Sequence, residues 1–388
     1  MPDASSPENL LRLLKSWQPR MLATLKKLVV AESPSLEKAV CDRCCTILAT
    51  EWRRLGARVE RIPQKKFGDQ LRVTWWPESK RLARQYFVLG HYDTVYASGS
   101  LARMPFRVSA GKAFGPGIFD MKAGIVQALF ALRAIQQLQT PLTHRLLFFW
   151  SSDEEVGSEC SRKLIEAEAR RSDAVFVLEP SLGPRGLLKT ARKGVGEAEL
   201  IVHGRASHAG LAPEEGINAI HELALQLTRI KSWNNPRRGL TVSAGTIEGG
   251  TRVNVIAERA RAVLDLRALH AADMRRIERA LHALRPANSG ARIEVHGGFN
   301  RPPLERRMSA ALFAKAKSLA AQMGIELGEA TAGGGSDGNL TAAVGTPTLD
   351  GLGAVGHGAH SSNEHILIHT MPARAALLAA LLCSRSPS

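Results

Sequence analysis

Residues 145–158, Arg-Leu-Leu-Phe-Phe-Trp-Ser-Ser-Asp-Glu-Glu-Val-Gly-Ser, run from an apolar stretch straight into three consecutive acids. A short apolar run bounded by polar residues reads as a buried strand. Like charges repel, so Asp153, Glu154 and Glu155 at its end need a reason. Two further stretches share the pattern: 86–90 runs into His91, and 174–178 runs into Glu179. Helical patterns at 10–30, 36–55, after Met121 and near 161–170 alternate with them, which predicts an α/β sheet. In open α/β sheets the carboxyl ends of the strands form the ligand crevice, so His91, the acid triplet and Glu179 are expected to converge there.

From Lys193 the rhythm becomes strand (194–203), helix (216–231), strand (240–248), strand (251–267), helix (271–284) and strand (291–296). That is a split βαββαβ unit, closed by Pro302 and Pro303. A helical stretch at 308–323 and a Gly-rich segment then resume the first style. The expected organisation is therefore a discontinuous larger domain, 1–192 and 302–388, with residues 193–301 inserted.

A chain of 388 residues exceeds one ordinary hydrophobic core, and 44% hydrophobic with 23% charged residues excludes extended disorder. The formal charge of +16 raises the question of nucleic acid. Its basic residues are scattered as Arg-rich faces (Arg53, Arg54, Arg58; Arg275, Arg276, Arg279), with no basic tail and no stacking aromatic series. They read as a solvated surface that also attracts anionic substrates. Cys41, Cys44 and Cys45 have helical spacing but no second pair to complete a zinc site, so a buried face of reduced thiols is expected. The N-terminal residues lack a signal-peptide pattern and no apolar run is long enough for a bilayer, which leads to the expectation of a soluble cytoplasmic protein without membrane partners.

The chemistry-bearing residues each have a plain reading when taken singly. His91-Tyr92-Asp93 is either a structural histidine or a metal ligand whose second nitrogen is held by a carboxylate. Asp120, in the Gly-rich turn 115–124, would alone be a helix cap. The acid triplet would alone be a solvated helix start. Neighbouring residues at a strand end point in different directions, however, so one carboxylate can bind a cation while the next handles a proton. Glu179 after an apolar strand is costly unless paired or coordinating, and His360-Ser-Ser-Asn-Glu364 adds an imidazole and an acid. Together they form a mixed nitrogen and oxygen set suited to two zinc ions or similar metals. His144, His357, His365 and the remaining histidines lie outside this pattern.

In order along the chain, Gly90-His-Tyr-Asp-Thr-Val95, Pro105-Phe-Arg-Val108 through Gly115–Asp120, Asp153–Ser158, Leu178-Glu-Pro180, Gly204-Arg-Ala-Ser-His-Ala-Gly210, Gly333-Gly-Gly-Ser-Asp337 and His360–Glu364 resemble the M20 family of metallopeptidases, most closely its glutamate carboxypeptidase branch. The resemblance implies an α/β, di-metal exopeptidase-type catalytic domain with an inserted βαββαβ (ferredoxin-like) dimerisation or lid domain. It implies two Zn2+ per subunit, with Co2+ or Mn2+ as alternatives. Asp120 would bridge them, His91 and Glu179 complete one site, and Glu155 and His360 the other. Asp93 would orient His91, and Glu154 would be the general base that carries a proton from the attacking water to the leaving amine. A cis Asp120–Met121 peptide is also expected. His208 corresponds to a histidine that crosses a homodimer interface to stabilise an oxyanion, while Asn254, Arg267 and the Gly334 segment correspond to places that contact the substrate. The implied activity is hydrolysis of an amide next to a free C-terminal carboxylate, on a small peptide or an N-acyl amino acid. Deacylase and dipeptidase activities of the same family are the alternatives. The segments around Met121 and 297–300 depart from the relatives' pattern, so the substrate does not carry over.

Overall fold

The apolar run of residues 145–158 forms the strand Arg145–Ser151, buried at every position after the first. It lies inside a six-stranded sheet ordered Arg58–Ile62, Gln70–Trp75, Arg145–Ser151, Gln85–His91, Ala174–Val177, Thr348–Leu349. The last four strands run parallel, and the first two join antiparallel at one edge. This computed structural model describes residues 6–77 and 82–385.

Parallel strands need both faces covered, and period-two alternation divides their side chains between two cores. Tyr86, Val88, Leu146, Phe148, Trp150 and Phe176 share one core with helices Pro7–Ser16, Gln18–Val30, Lys38–Arg53, Ala123–Gln137 and Met371–Cys383. Phe87, Leu89, Leu147, Phe149, Val175 and Val177 point the other way, toward helices Arg162–Arg170 and Asp337–Ala343. Trp52 anchors the first core, with its ring 4.4 Å from Phe148 and 5.7 Å from Trp150. Gly90 is required just before His91: a Cβ there would come within 2.5 Å of Met121 Cε and 2.9 Å of Trp150 Cζ3.

These elements belong to the first compact unit, Met1–Ala191 with Arg306–Ala332 and Ser336–Ser388. The second comprises Arg192–Glu305 and Gly333–Gly335. It is an antiparallel four-stranded sheet ordered Thr241–Gly249, Arg259–Ala268, Gly194–His203, Arg292–Arg301, with helices Ala219–Lys231 and Ala271–His282. The connectivity is βαββαβ. Leu223 and Ile277 bring the helices into its core against Leu200, Ala262 and Leu264.

Several expected bounds shift for local reasons. The 10–30 helix breaks at Trp17, because Pro19 opens a new helix and has no N–H to continue the old one. The 251–267 strand begins only at Arg259: Gly250, at φ +71°, turns the chain, and pairing starts at Arg259↔His203. Met371–Cys383 was missed because it is apolar on nearly every side and so lacks an amphipathic signal. No helix among the described residues is long and apolar enough to cross a membrane.

Cys41, Cys44 and Cys45 are buried on the Lys38–Arg53 helix, and no described cysteine is in a disulfide. Burial raises the Cys44 thiol and pushes Cys45 up to about 11, so neither is a nucleophile at neutral pH. Mass-resolved alkylation of native protein should modify Cys160 first, since burial pushes the Cys383 thiol up to about 12. Cys41, Cys44 and Cys45 should react only after denaturation.

A candidate two-metal centre

Parallel pairing alone brings four of the expected residues, from three strands, to one edge of the sheet. His91 ends Gln85–His91, Glu154 and Glu155 open the turn Glu154–Val156 after Arg145–Ser151, and Glu179 follows Ala174–Val177. Asp120 arrives from the turn before Ala123–Gln137, and His360 from the loop before His365–Leu367. His91 Nε2 lies 3.3 Å from Asp120 Oδ1 and 3.5 Å from Glu179 Oε1. His360 Nε2 lies 3.5 Å from Asp120 Oδ2 and 3.1 Å from Glu155 Oε2. The result is two triads, His91–Asp120–Glu179 and Asp120–Glu155–His360, each with its donor atoms within 4.8 Å of one another. Asp120 turns one oxygen to each.

The electrostatics of this arrangement call for cations. His91 Nδ1 lies 3.1 Å from the Asp93 carbonyl oxygen, so in the neutral ring that nitrogen holds the proton and Nε2 presents a lone pair to two carboxylates. Lone pairs so placed repel unless a proton or a metal ion lies among them. Burial alone would lower the His91 pKa, yet Asp120, Asp93 and Glu179 hold it well above its ordinary value. His360 is raised to about 10 by Asp120 and Glu155, against burial. Burial pushes Asp120 up, but His360, His91 and Lys189 prevail and hold it well below the usual carboxylate range. Glu155 is raised, with burial and the Asp120 charge outweighing the two imidazoles. Asp120 Oδ1 is buried and accepts no hydrogen bond among the described residues. A buried acceptor left without a donor, inside a nitrogen and oxygen set, fits a divalent metal pair.

Other acids hold the loops that carry these groups. Glu364, 1% exposed, accepts backbone N–H bonds from Gly117 (2.9 Å), Phe119 (2.7 Å) and Asp120 (2.9 Å). Burial still pushes its carboxyl up to about 7 against those donors and Tyr96. The Asp120–Met121 peptide is cis, as the resemblance implies, and His360 itself sits in the left-handed region at φ +60°. Strain of that kind in a bulky residue persists where surrounding structure imposes it. Asp153, expected to join the crevice, instead caps the following turn: its carboxylate accepts N–H from Cys160 (2.6 Å) and Ser161 (3.2 Å) and an amide hydrogen from Gln70 (3.2 Å). Asp93 reaches His91 mainly through its main-chain carbonyl, with the carboxylate 3.4 Å from Nδ1. Reading the sequence assigned no work to Glu364 beyond a nearby acid. Its place four residues after His360 was the one available signal.

The remaining expected residues lie in the second unit. His208 is exposed, and its Nδ1 accepts N–H bonds from Gly210 and Leu211, both at 3.1 Å, which leaves the proton of the neutral ring on Nε2. Asn254 holds the neighbouring loop to it, accepting the Ala209 N–H at 3.0 Å. Arg267 is engaged by Asp265 through two guanidinium nitrogens, the shortest contact 2.7 Å. Gly334 presents its carbonyl to Arg192 Nη1 at 3.1 Å. His144 and His365 are structural, the first between Thr143 and Asp173, the second against Phe114.

The profile of peptidase family M20/M25/M40 matches residues 87–384. The chain belongs to this family. It is 30% identical over 375 residues to carboxypeptidase G2 of Pseudomonas sp. (strain RS-16), covering 94% of this chain and 89% of that protein. It is 25% identical over 363 residues to succinyl-diaminopimelate desuccinylase of Acinetobacter baumannii (strain AYE), covering 89% and 93%. Its fold matches the crystal structure of aminopeptidase PepT from Bacillus cereus with a TM-score of 0.79 at 22% identity, covering 94% and 98%. The chain is thus a metallopeptidase-family hydrolase with an α/β fold, and the two triads are its candidate metal ligands.

Metal-stripped protein titrated with Zn2+ should take up two equivalents. Glu179→Ala and His360→Ala should each weaken one of the two, whereas Asp120→Ala should weaken both, as read by calorimetry and elemental analysis.

Proposed function

We propose that this M20-family member is a zinc-dependent hydrolase that cleaves an amide bond adjacent to a free C-terminal carboxylate, in the manner of a glutamate carboxypeptidase. The observation that carries the reading is the pair of triads sharing Asp120, with Glu154 adjacent to a ligand of the second triad yet a member of neither. His91, Asp120 and Glu179 would hold one ion, and Asp120, Glu155 and His360 the other. Bound there, two divalent ions supply Lewis acidity toward the scissile carbonyl and a water made acidic enough to react near neutral pH.

The protein's own groups do the rest. Glu154 takes the proton of the attacking water and returns it to the leaving amine, which leaves as a neutral group. Its backbone N–H is tied to Asp93 Oδ1 at 3.4 Å, which places the base relative to the His91 strand. His208, with its donor on Nε2, is suited to stabilise the developing oxyanion of a partner subunit in a homodimer formed through the second unit. Arg267, Asn254 and the Gly334 backbone are the candidates for the substrate carboxylate. An incoming carboxylate at Arg267 competes with Asp265 for the same planar fork. The unpaired thiols support a reducing, cytoplasmic setting. A second reading, an N-acyl-amino-acid deacylase, draws on the desuccinylase likeness, since both reactions break an amide beside a carboxylate.

The test is amino-acid release by zinc-loaded protein from N-acyl amino acids and free-amine dipeptides with acidic, basic and apolar C-terminal residues. Acylated acidic substrates should be preferred. Glu154→Gln should lower kcat by about 10²- to 10⁴-fold with both metals still bound. Retained turnover would remove Glu154 from its role, and preference for free-amine dipeptides would move the assignment to a dipeptidase.

A further inference from the structure

Ser33-Pro34-Ser35 joins helices Gln18–Val30 and Lys38–Arg53 and precedes the part of the chain that the family profile covers. It runs beside residues 92–94 like a short extra strand. Thr94 N–H donates to Ser33 O (2.8 Å), Ser35 N–H to Thr94 O (3.1 Å), and Ser33 Oγ to Tyr92 O (2.5 Å). Both hydroxyls are buried, Ser33 at 0% and Ser35 at 4% exposure, but they serve different acceptors. Ser33 bonds to a main-chain carbonyl. Ser35 Oγ donates to the carboxylate of Asp93, 2.7 Å from Oδ2, with Thr94 O the farther acceptor at 3.2 Å.

Asp93 is itself fully buried and stands at a junction. Its Oδ2 also accepts the Glu155 N–H (3.3 Å), its Oδ1 accepts the Glu154 N–H (3.4 Å), and Oδ1 lies 3.4 Å from His91 Nδ1. The Ser35 contact is the shortest of the four. A hydroxyl donating to a buried carboxylate is a charge-assisted bond, and the other contacts are too long to fix the group alone. We propose that Ser35 is a positioning residue of the hydrolytic centre, acting through Asp93 on the metal ligands His91 and Glu155 and on the general base Glu154 at once. The proposal rests on the hydrolase reading above for the role of Glu154. Its effect on the metal ligands does not depend on the substrate.

Without the Ser35 hydroxyl, Asp93 Oδ2 keeps one long amide contact, and the carboxylate is free to rotate away from the Glu154–Glu155 turn and the His91 ring. Partners in this position alter metal affinity or activity by about 10- to 100-fold. The experiment compares Ser35→Ala, Ser35→Thr and Ser33→Ala in the full chain. Zn2+ affinity is read by competition with a chromogenic chelator, kcat is measured at saturating Zn2+, and stability is followed by thermal unfolding. Ser35→Ala should weaken Zn2+ binding at least 10-fold and lower kcat even when fully loaded. Ser35→Thr should restore both, and Ser33→Ala should leave both near the parent values.

Unchanged Zn2+ affinity and kcat in Ser35→Ala would overturn the proposal. So would an equal loss in Ser33→Ala, which would show that only the integrity of the loop matters. If Ser35→Ala does not fold, Ser35→Cys, nearly the same size but a weak donor, should show a partial loss of affinity, and parent affinity there overturns the proposal. Should no tested amide be hydrolysed, the hydrolase reading falls, while the chelator competition still decides whether Ser35 supports the ligands.

Discussion

Carboxylates cannot be gathered at a buried sheet edge without something positive among them, and this molecule answers that constraint in two ways. One set of acids accepts peptide N–H groups: Asp153 from Cys160 and Ser161, Glu364 from Gly117, Phe119 and Asp120, and Asp93 from Glu154 and Glu155. Backbone amides provide partial positive charge at fixed positions, so these acids fix the loops around them. The other set, Asp120, Glu155 and Glu179, faces imidazoles and one another. Protons can relieve that crowding by charging the histidines or by neutralising a carboxylate such as Glu155, whose pKa burial raises. Two divalent ions relieve it with the histidines neutral, which is the form that binds metal.

The division also explains the three consecutive acids after the Arg145–Ser151 strand. Asp153 points back into the fold and closes the next turn, Glu155 points to His360, and Glu154, between them, belongs to neither task. The strand ends at Ser151, and the tight turn Glu154–Val156 makes this possible, since three residues per turn send successive side chains in different directions. The turn at the carboxyl end of this strand is therefore the device that separates three like charges into three roles.

That separation marks the limit of what was legible beforehand. The apolar runs and the polar residues at their ends were enough to place His91, Glu155 and Glu179 on one edge, because parallel pairing brings the carboxyl ends together whatever the loops do. Asp120 and His360 come from loops: their residue types made them candidates for the set, and the family resemblance gave them their places in it. The job of Asp153 was hidden because capping depends on the path of residues 157–161, where Gly157 and Ser158 both adopt positive φ. The edge strand Arg58–Ile62 and the Met371–Cys383 helix were missed for a different reason, since neither carries a clear hydrophobic period; Gln70–Trp75, by contrast, alternates polar with apolar residues and was open to reading as a strand.

Support for the centre reaches well beyond the segments that carry its ligands. Arg374, 6% exposed, has no acidic partner among the described residues, and burial lowers its pKa to about 10. Its guanidinium donates instead to the carbonyls of Gly186 (3.1 Å), Gly351 and Gly353 (2.9 Å). Gly353 N–H in turn bonds to the Glu179 carbonyl at 2.9 Å, and a side chain on Gly353 would collide with Leu178 O at 2.1 Å. The C-terminal helix therefore fixes the main chain at Glu179, as the segment before Lys38 fixes Asp93. Candidate ligands drawn from five places in the sequence stand 3.1 to 3.5 Å apart across their imidazole–carboxylate contacts, and the main chain at Asp120 and at Glu179 is held from behind, by Glu364 and, through Gly353, by Arg374. Selectivity among amides then has to come from side chains outside this framework.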